Sequence, residues 1–515
     1  MHSLPARLIA ASLLLLLVNA CGGGGGGGVD NSFLPGVPPE DQIGVIVEDI
    51  LGERDVLLAD EKGSGFVSIS KDIAGVGFNP SALHWSNDHR KLMFPARRDA
   101  LAALELFVAD VTRGTVVSAN EALLGNGTLG NVLWSPTSDR VVFRVGNTPP
   151  RLFTSSIDGS EPLELFTDLP NVLTDAGEFA ISPNGTHVAW LVDGLVDGKL
   201  ELFVDTIQGT GAVRVSADLP ANGDVSRVRW APDSAHLAYL ADDTFDETFD
   251  LFVTTLGGGP PVRATPGLAA GRNIRVFDFS ADSSRVAYDS SQSLLDKFEL
   301  FTTRADGTGN VRVSPFAAAN CHVGSWEWLG TANRLYVVHD SVAPGDYRVF
   351  SVNGDGSGIA LDLSGPIADP ASLGVIFLSP NAQFVAYLAA QVNVAKRELF
   401  VADVDVAGSS HQVSAATQGS CTTLVFSWAP DSMHGLYIGD HVTPAIELFT
   451  VELGSAPVRH SGLPVETGLR FAADSQAVIA GAESPGSLLS QPVDGLPAAD
   501  ILPGFVGDVV RVAVR

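Results

Sequence analysis

Cationic residues are scarce in this chain of 515 residues. Lys and Arg number 31 against 59 Asp and Glu, a formal net charge of −28. A phosphate backbone needs a basic footprint, so the balance argues against nucleic acid as a partner. Cysteine is nearly absent, at three, and no Cys-x-x-Cys occurs, which removes a structural zinc on spacing. There is no His-Glu-x-x-His and no Gly-rich loop ending in Lys. There is also no G-x-S-x-G nucleophile elbow. Hydrolysis by the common zinc or serine routes is therefore not expected, and no cofactor is called for. Long apolar runs are missing too. The one that stands out, Leu8 to Val18, has 11 residues, whereas a bilayer span needs about 20.

That short run has a different use. Arg7 supplies a positive start and Leu8–Val18 an apolar centre, so residues 1–20 read as a secretory signal peptide. The run ends in Val18-Asn19-Ala20-Cys21. Small and branched residues ahead of one Cys resemble the lipobox of bacterial lipoproteins. The resemblance implies cleavage before Cys21, acylation of Cys21 and a membrane partner held through lipid. Gly22, not Asp, follows the Cys; in that family this favours the outer membrane. Gly22 to Gly28 are seven consecutive glycines, which build no core and act as a flexible leash. Residues 21–42 are accordingly an acylated tether, and 43–515 the folded body.

The body is one unit written about ten times. An anchor residue is followed by a small residue, Pro or Ala, Asp or Asn, and then an apolar strand. Examples are Trp134-SPTSDRVVF, Trp230-APDSAHLAY and Trp428-APDSMHGLY. The anchors Trp85, Trp134, Ile181, Trp230, Phe279, Trp328, Leu378, Trp428 and Phe471 recur every 43–50 residues. A second string, Glu/Asp-Leu-Phe, follows each at a near-constant offset. Its Phe lies 22 residues after the anchor at Phe107, Phe203, Phe252, Phe301, Phe350 and Phe400. Each unit divides into four short strands rich in β-branched and aromatic residues, punctuated by Gly, Pro and Asp. In the unit of Trp230, Pro232 presets a turn and Asp233 closes it on the local backbone.

Four-stranded units at this period predict an all-β fold, a single large β-propeller of about ten four-stranded blades. The turn halves Ala305-Asp-Gly-Thr-Gly and Val352-Asn-Gly-Asp-Gly-Ser-Gly complete a pattern similar to the TolB-like propeller repeat, which is related to WD-like repeats. The ends supply one further unit. Gly44-Val-Ile-Val, Asp55-Val-Leu-Leu and Phe66-Val-Ser match the second to fourth strands, while Val506-Gly-Asp-Val-Val-Arg-Val matches a lone first strand. An unpaired edge invites aggregation, so the tail is expected to complete the opening blade. Nine complete units and one split unit give ten blades. An eight- or nine-blade ring and two smaller rings stand as alternatives, because ten exceeds the usual four to eight.

Candidate chemistry is thin. His84 and His89 flank the first anchor and read as surface or edge-strand residues. The acidic loop Asp242–Glu247 offers hard oxygen ligands, but it lacks the spacing of a dedicated calcium site. The recurrent Glu105, Glu201, Asp250, Glu299, Glu398 and Glu447 read as caps or cross-strand partners, and the anchor tryptophans as blade packing. Cys321 and Cys421 each stand seven residues before an anchor. An oxidising envelope favours their pairing. Equivalent points two blades apart rarely come within the roughly 7 Å between Cα atoms that a bridge allows, though both lie in long loops. His322, Trp326 and Glu327 are the tentative cleft residues, because their unit departs from the repeat, with Leu-Gly-Thr for Ser-Pro-Asp. The expected function is a monomeric, non-enzymatic outer-membrane lipoprotein that binds a protein, peptide or glycan. The alternative is a propeller enzyme that cleaves a polysaccharide or peptide with carboxylates from different blades.

Overall fold

The computed structural model describes residues 33–513 apart from short stretches between strands, the longest of them 416–422 and 440–446. The described residues form ten antiparallel sheets, nine of four strands and one of five. We number them as blades 1–10 along the chain, with strands a to d in order of pairing. Blade 5 shows the unit: a, Val225–Trp230; b, His236–Ala241; c, Asp250–Thr255; d, Val262–Arg263. In blades 3 to 10 strand a comprises Leu129–Trp134, Ala176–Ile181, Val225–Trp230, Ile274–Phe279, Val323–Trp328, Ile376–Leu378, Thr423–Trp428 and Thr467–Phe471. Blade 2 differs because Pro80 and Pro95 each lack an amide donor. Its strand a is split into Asn79–Pro80 and His84–Trp85, both paired with Lys91–Arg97.

Blade 1 takes strands b, c and d from Gln42–Asp49, Arg54–Asp60 and Phe66–Ser68, and strand a from Gly507–Ala513. The register runs from Gly44 opposite Ala513 to Asp49 opposite Gly507, with a bulge between Ile46 and Val47. Strand a of one blade touches strand a of the next at blades 4 and 5, 5 and 6, 8 and 9, and 10 and 1. The a strands therefore surround the axis and the tail closes the ring, as the repeat arithmetic required. The protein is a single closed propeller of ten blades.

The repeat markers have physical duties. In six blades the Phe of the second string stacks on a strand b aromatic, as in Tyr239–Phe252 at 5.5 Å, Tyr288–Phe301 at 5.7 Å and Tyr437–Phe449 at 5.0 Å; in blade 7 Phe350 faces Val337 instead. Such pairs add about 0.5–1.5 kcal/mol beyond area burial. The cores lie between blades: one cluster joins Leu251 and Val253 of blade 5 to Phe277, Val286 and Tyr288 of blade 6.

Anchor tryptophans latch the blades together. The indole N–H groups of Trp134, Trp230, Trp328 and Trp428 donate to the carbonyls of His84, Ala180, Asp278 and Phe377 in the preceding blade, at 2.9–3.1 Å. A second latch lies in the a–b turns. Ser138, Ser234, Ser283 and Ser432 hold φ near +60°. Their hydroxyls accept the backbone N–H of Asp88, Asn184, Asp233 and Asn381 across the same interfaces, at 2.9–3.0 Å. The acidic residue before Leu-Phe is architectural as well. Glu105 pairs with Arg98 at 2.7 Å, Glu201 with Arg214 at 2.8 Å and Glu447 with Arg459 at 2.9 Å. In blades 3 and 7 the charges are exchanged. Arg151 and Arg348 stand in the acidic place and pair with Glu164 at 2.6 Å and Asp362 at 3.0 Å.

The unit shown by blade 5 joins a to b and c to d by tight turns on one face of the ring; in blade 1 strands a and b are joined by pairing alone. The b–c and d–a connections lie on the other face. We call these the turn face and the loop face.

Candidate functional site

Strand alternation decides what the axial channel presents. On strand a the anchor and the residue two before it are turned into the inter-blade core, whereas the residues one and three before it lie on the other side, most of them open toward the axis; Ala180 and Phe377 among them still pack against a neighbouring core. Blade 5 shows this directly: Val228 and Trp230 are buried, Arg227 and Arg229 exposed. The position just before the anchor is Leu133, Ala180, Arg229, Asp278, Glu327, Phe377 and Ser427 in blades 3 to 9. Three places before the anchor stand Asn131, Glu178, Arg227, Val276, Ser325, Val375 and Val425. The channel wall is therefore uneven. Blades 4 to 7 carry a charged arc, while Leu133, Val375 and Val425 put exposed apolar side chains on either side of it.

Within the arc, Arg229 Nη1 bonds Glu178 Oε1 at 2.7 Å, both side chains being about half exposed at 49% and 42%. Glu178 also lines a cleft of about 530 Å³ against Asn131, Leu133 and Ala180. Next to Arg229, Asp278 has its carboxyl pushed above the usual carboxylate range by desolvation, against a backbone hydrogen bond from Phe279 and the charge of Arg229. Glu327 is raised likewise, chiefly by desolvation and further by the negative charge of Asp278, against a hydrogen bond from the Tyr336 hydroxyl. Both side chains reach solvent at the inner wall of the ring.

The backbone beneath the arc is shaped to match. Arg227 sits at φ +54°, at the bulge between Ser226 and Val228, a conformation a non-glycine side chain adopts at a cost of order 1–3 kcal/mol. Its guanidinium donates to the Arg275 carbonyl in blade 6. Arg275 in turn bonds the Val323 carbonyl of blade 7 at 3.0 Å and the buried Asp289 at 2.7 Å. Side chain to backbone, the arc is stitched across three blades.

The structure separates the three residues singled out in the 328 unit. Glu327 belongs to the channel arc. Trp326, one place earlier, packs against the inter-blade core with Val337 and Leu335. His322 lies at the loop-face end of the strand, half-buried, with its ring against Tyr347 at 6.2 Å and its amide bonded to Asp340 Oδ1. Cys21, Cys321 and Cys421 lie outside the described residues. The Asp242 carboxylate is occupied by backbone amides of Asp224 and Glu247, and Asp243 by Arg263, so the acidic loop is held together by its own hydrogen bonds. Among the described residues no group of three His, Cys, Asp or Glu is arranged to hold a metal ion. Glu178, Arg227, Arg229 and Asp278 were not apparent as site residues from motifs. Aligning the repeats on their anchors and reading the preceding residue would have found Arg229 and Asp278.

The fold and this channel define a class: a closed ten-bladed β-propeller with an axial wall that is charged along one arc and apolar beside it. No family model matches the chain, and no curated protein matches it. Solved structures do. A putative TolB from Agrobacterium tumefaciens is 17% identical over 48% of this chain and 85% of its own, at a TM-score of 0.30. A eukaryotic initiation factor is 9% identical over 92% and 97%, at 0.47. An oligogalacturonate lyase from Vibrio parahaemolyticus is 13% identical over 71% and 98%, at 0.37. Likeness at these identities concerns the fold and carries no activity across.

Proposed function

We propose that the protein is a non-catalytic binding module of a bacterial cell envelope, held to the outer membrane through lipid on Cys21, that engages a protein, peptide or glycan at its axial channel. The observation that supports this reading is the channel wall itself. The rest of each blade repeats, but the positions facing the axis do not, and they place charge and apolar surface side by side. Mixed surfaces of that kind suit a polymer with both polar and apolar groups. The test is capture from solubilised envelope on immobilised protein, comparing the native chain with Arg229→Glu. Arg229→Glu sets a second acidic side chain against Glu178 and is expected to lower retention of the captured component at least tenfold. Equal retention, or no retained component together with turnover of an envelope polymer, overturns the reading.

A second reading is favoured by one observation, the raised carboxyls of Asp278 and Glu327 on neighbouring blades. Such a pair can supply an acid and a base to the cleavage of a glycosidic or peptide bond. Under that reading Asp278→Asn abolishes turnover and leaves capture intact.

A further inference from the structure

The segment that leads into blade 1 is fastened to one face of the ring. Phe33 and Leu34 pack against the core cluster shared by blades 1 and 2, to which Val111 belongs. The Phe33 amide donates to the Val111 carbonyl at 3.4 Å. Val111 directly follows strand c of blade 2, Leu104–Asp110, and so begins its c–d turn. Further on, the Gln42 amide side chain donates to the Val37 carbonyl at 2.9 Å. The Asp41 carbonyl accepts the Glu61 amide at 2.9 Å, and the Asp41 carboxylate pairs with Lys62 at 2.8 Å. Glu61 and Lys62 belong to the c–d turn of blade 1. Every one of these contacts is on the turn face.

Chain length then sets the distances. Phe33 lies twelve residue steps after Cys21. A Gly-rich segment of that length has a root-mean-square span of roughly 17–21 Å, with an upper limit of about 40 Å at full extension. The seven-residue strands of blade 2 give the ring a thickness of about 23 Å. The average leash is therefore no longer than the ring is thick. A ring pinned by its turn face on so short a leash keeps that face toward the anchor.

We infer that the turn face of blades 1 and 2 is the membrane-proximal side of the protein, and that the channel mouth on the loop face opens away from the bilayer toward partners. The inference rests on the reading of Cys21 as the acylated residue. It assigns the loop face, with its longer connections, as the surface a soluble partner meets first.

Two positions on one blade separate the outcomes. Arg113 lies on the turn face in the c–d turn, its side chain 73% exposed. Leu101 lies on the loop face in the b–c connection and is 96% exposed. A ketone-bearing amino acid at either position, labelled with a small fluorophore, reports proximity to phosphatidylcholine vesicles that carry a nitroxide on the headgroup. Full-length protein processed in cells and reconstituted into these vesicles is expected to show at least threefold stronger quenching at Arg113 than at Leu101. Joint replacement Phe33→Ala and Leu34→Ala, which frees the pin, is expected to bring the two values together. Equal quenching in the native chain, or stronger quenching at Leu101, overturns the orientation. If the chain takes up no labelled fatty acid at Cys21, the anchor reading fails by itself. The orientation is then decided by a chain beginning at Cys21, with Cys321→Ser and Cys421→Ser, coupled through Cys21 to a maleimide phospholipid, with the same two readouts deciding it.

Discussion

His339 ends strand b of blade 7 and is fully buried, and neither of its ring nitrogens has a hydrogen-bond partner. The equivalent place holds Val192, Ala241, Ser290, Ala389 and Gly439 in other blades, so the blade interface needs no imidazole there. Burial pulls its pKa from 6.5 down to about 4, with Asp340 and Glu299 favouring the cation and His322 and Arg312 opposing it. The sign follows from linkage. Between pH 4 and 6.5 the unfolded chain binds more protons at this site than the folded one, so stability rises with pH across that window. The contribution is complete above the unfolded value and lost as the pH falls toward the folded one. A displacement from 6.5 to about 4 corresponds to about 3 kcal/mol. For a ring of this size, at about 2.1 cal/mol/K per residue, that is about 3 °C in Tm. His339→Val, the residue blade 4 uses, removes the site. The assay is Tm by calorimetry at pH 4.5, 5.5, 6.5 and 7.5 for both chains. At pH 4.5, still above the folded value, about 2.5 kcal/mol of this is lost, so the native protein is expected to lose about 2 °C more than the variant between pH 7.5 and 4.5, with the two close at pH 7.5. Parallel curves would refute the reasoning, because titration of the remaining carboxylates cancels in the comparison.

Three further outcomes follow from the architecture. Trp328→Phe keeps the ring but removes the N–H bonded to the Asp278 carbonyl at 3.1 Å, and is expected to cost about 1–3 kcal/mol in denaturant unfolding; an unchanged midpoint would show that the latch is incidental. Removing residues 507–515 leaves blade 1 with three strands and an open inner edge, and light scattering should then report self-association; a monomer with native melting would contradict closure by the tail. Arg151→Glu alone sets two carboxylates together and should lower Tm. Adding Glu164→Arg should restore most of the loss, since it gives blade 3 the charge order of the Glu201–Arg214 pair in blade 4, and failure of that rescue would sink the cross-strand role.

Blade count, strand order and ring closure were legible because packing enforces them. A Trp anchor must reach the carbonyl of the blade before it, and the Phe of Glu-Leu-Phe must meet a strand b aromatic, so both recur at a fixed spacing. The split blade was readable for the same reason, since residues 506–514 match the a strand that residues 44–68 lack. The channel was not legible. Arg229 and Asp278 face the axis and contact no blade core, so nothing obliges them to repeat, and in one sequence their variation looks like drift. The unit of Trp328 drew notice for its altered turn, Leu329-Gly-Thr, but that turn is on the turn face, at one end of the strand, while His322 is at the other. Of the three residues chosen there, only Glu327 lines the axis, and for a reason the turn does not reveal.

The pairing of Gly44 with Ala513 has a consequence for how the molecule is made and unmade. Blade 1 must wait on the ribosome for strand 507–513, and joining segments 469 residues apart costs about 5 kcal/mol of loop entropy if the intervening chain is still loose. Once the nine other sheets stand in their arc, most of that cost has already been met, and the clasp engages late. Contacts formed late in folding are the first to be lost in unfolding, so substitutions in residues 507–513 should chiefly change how fast the native protein opens and leave the rate of assembly almost untouched.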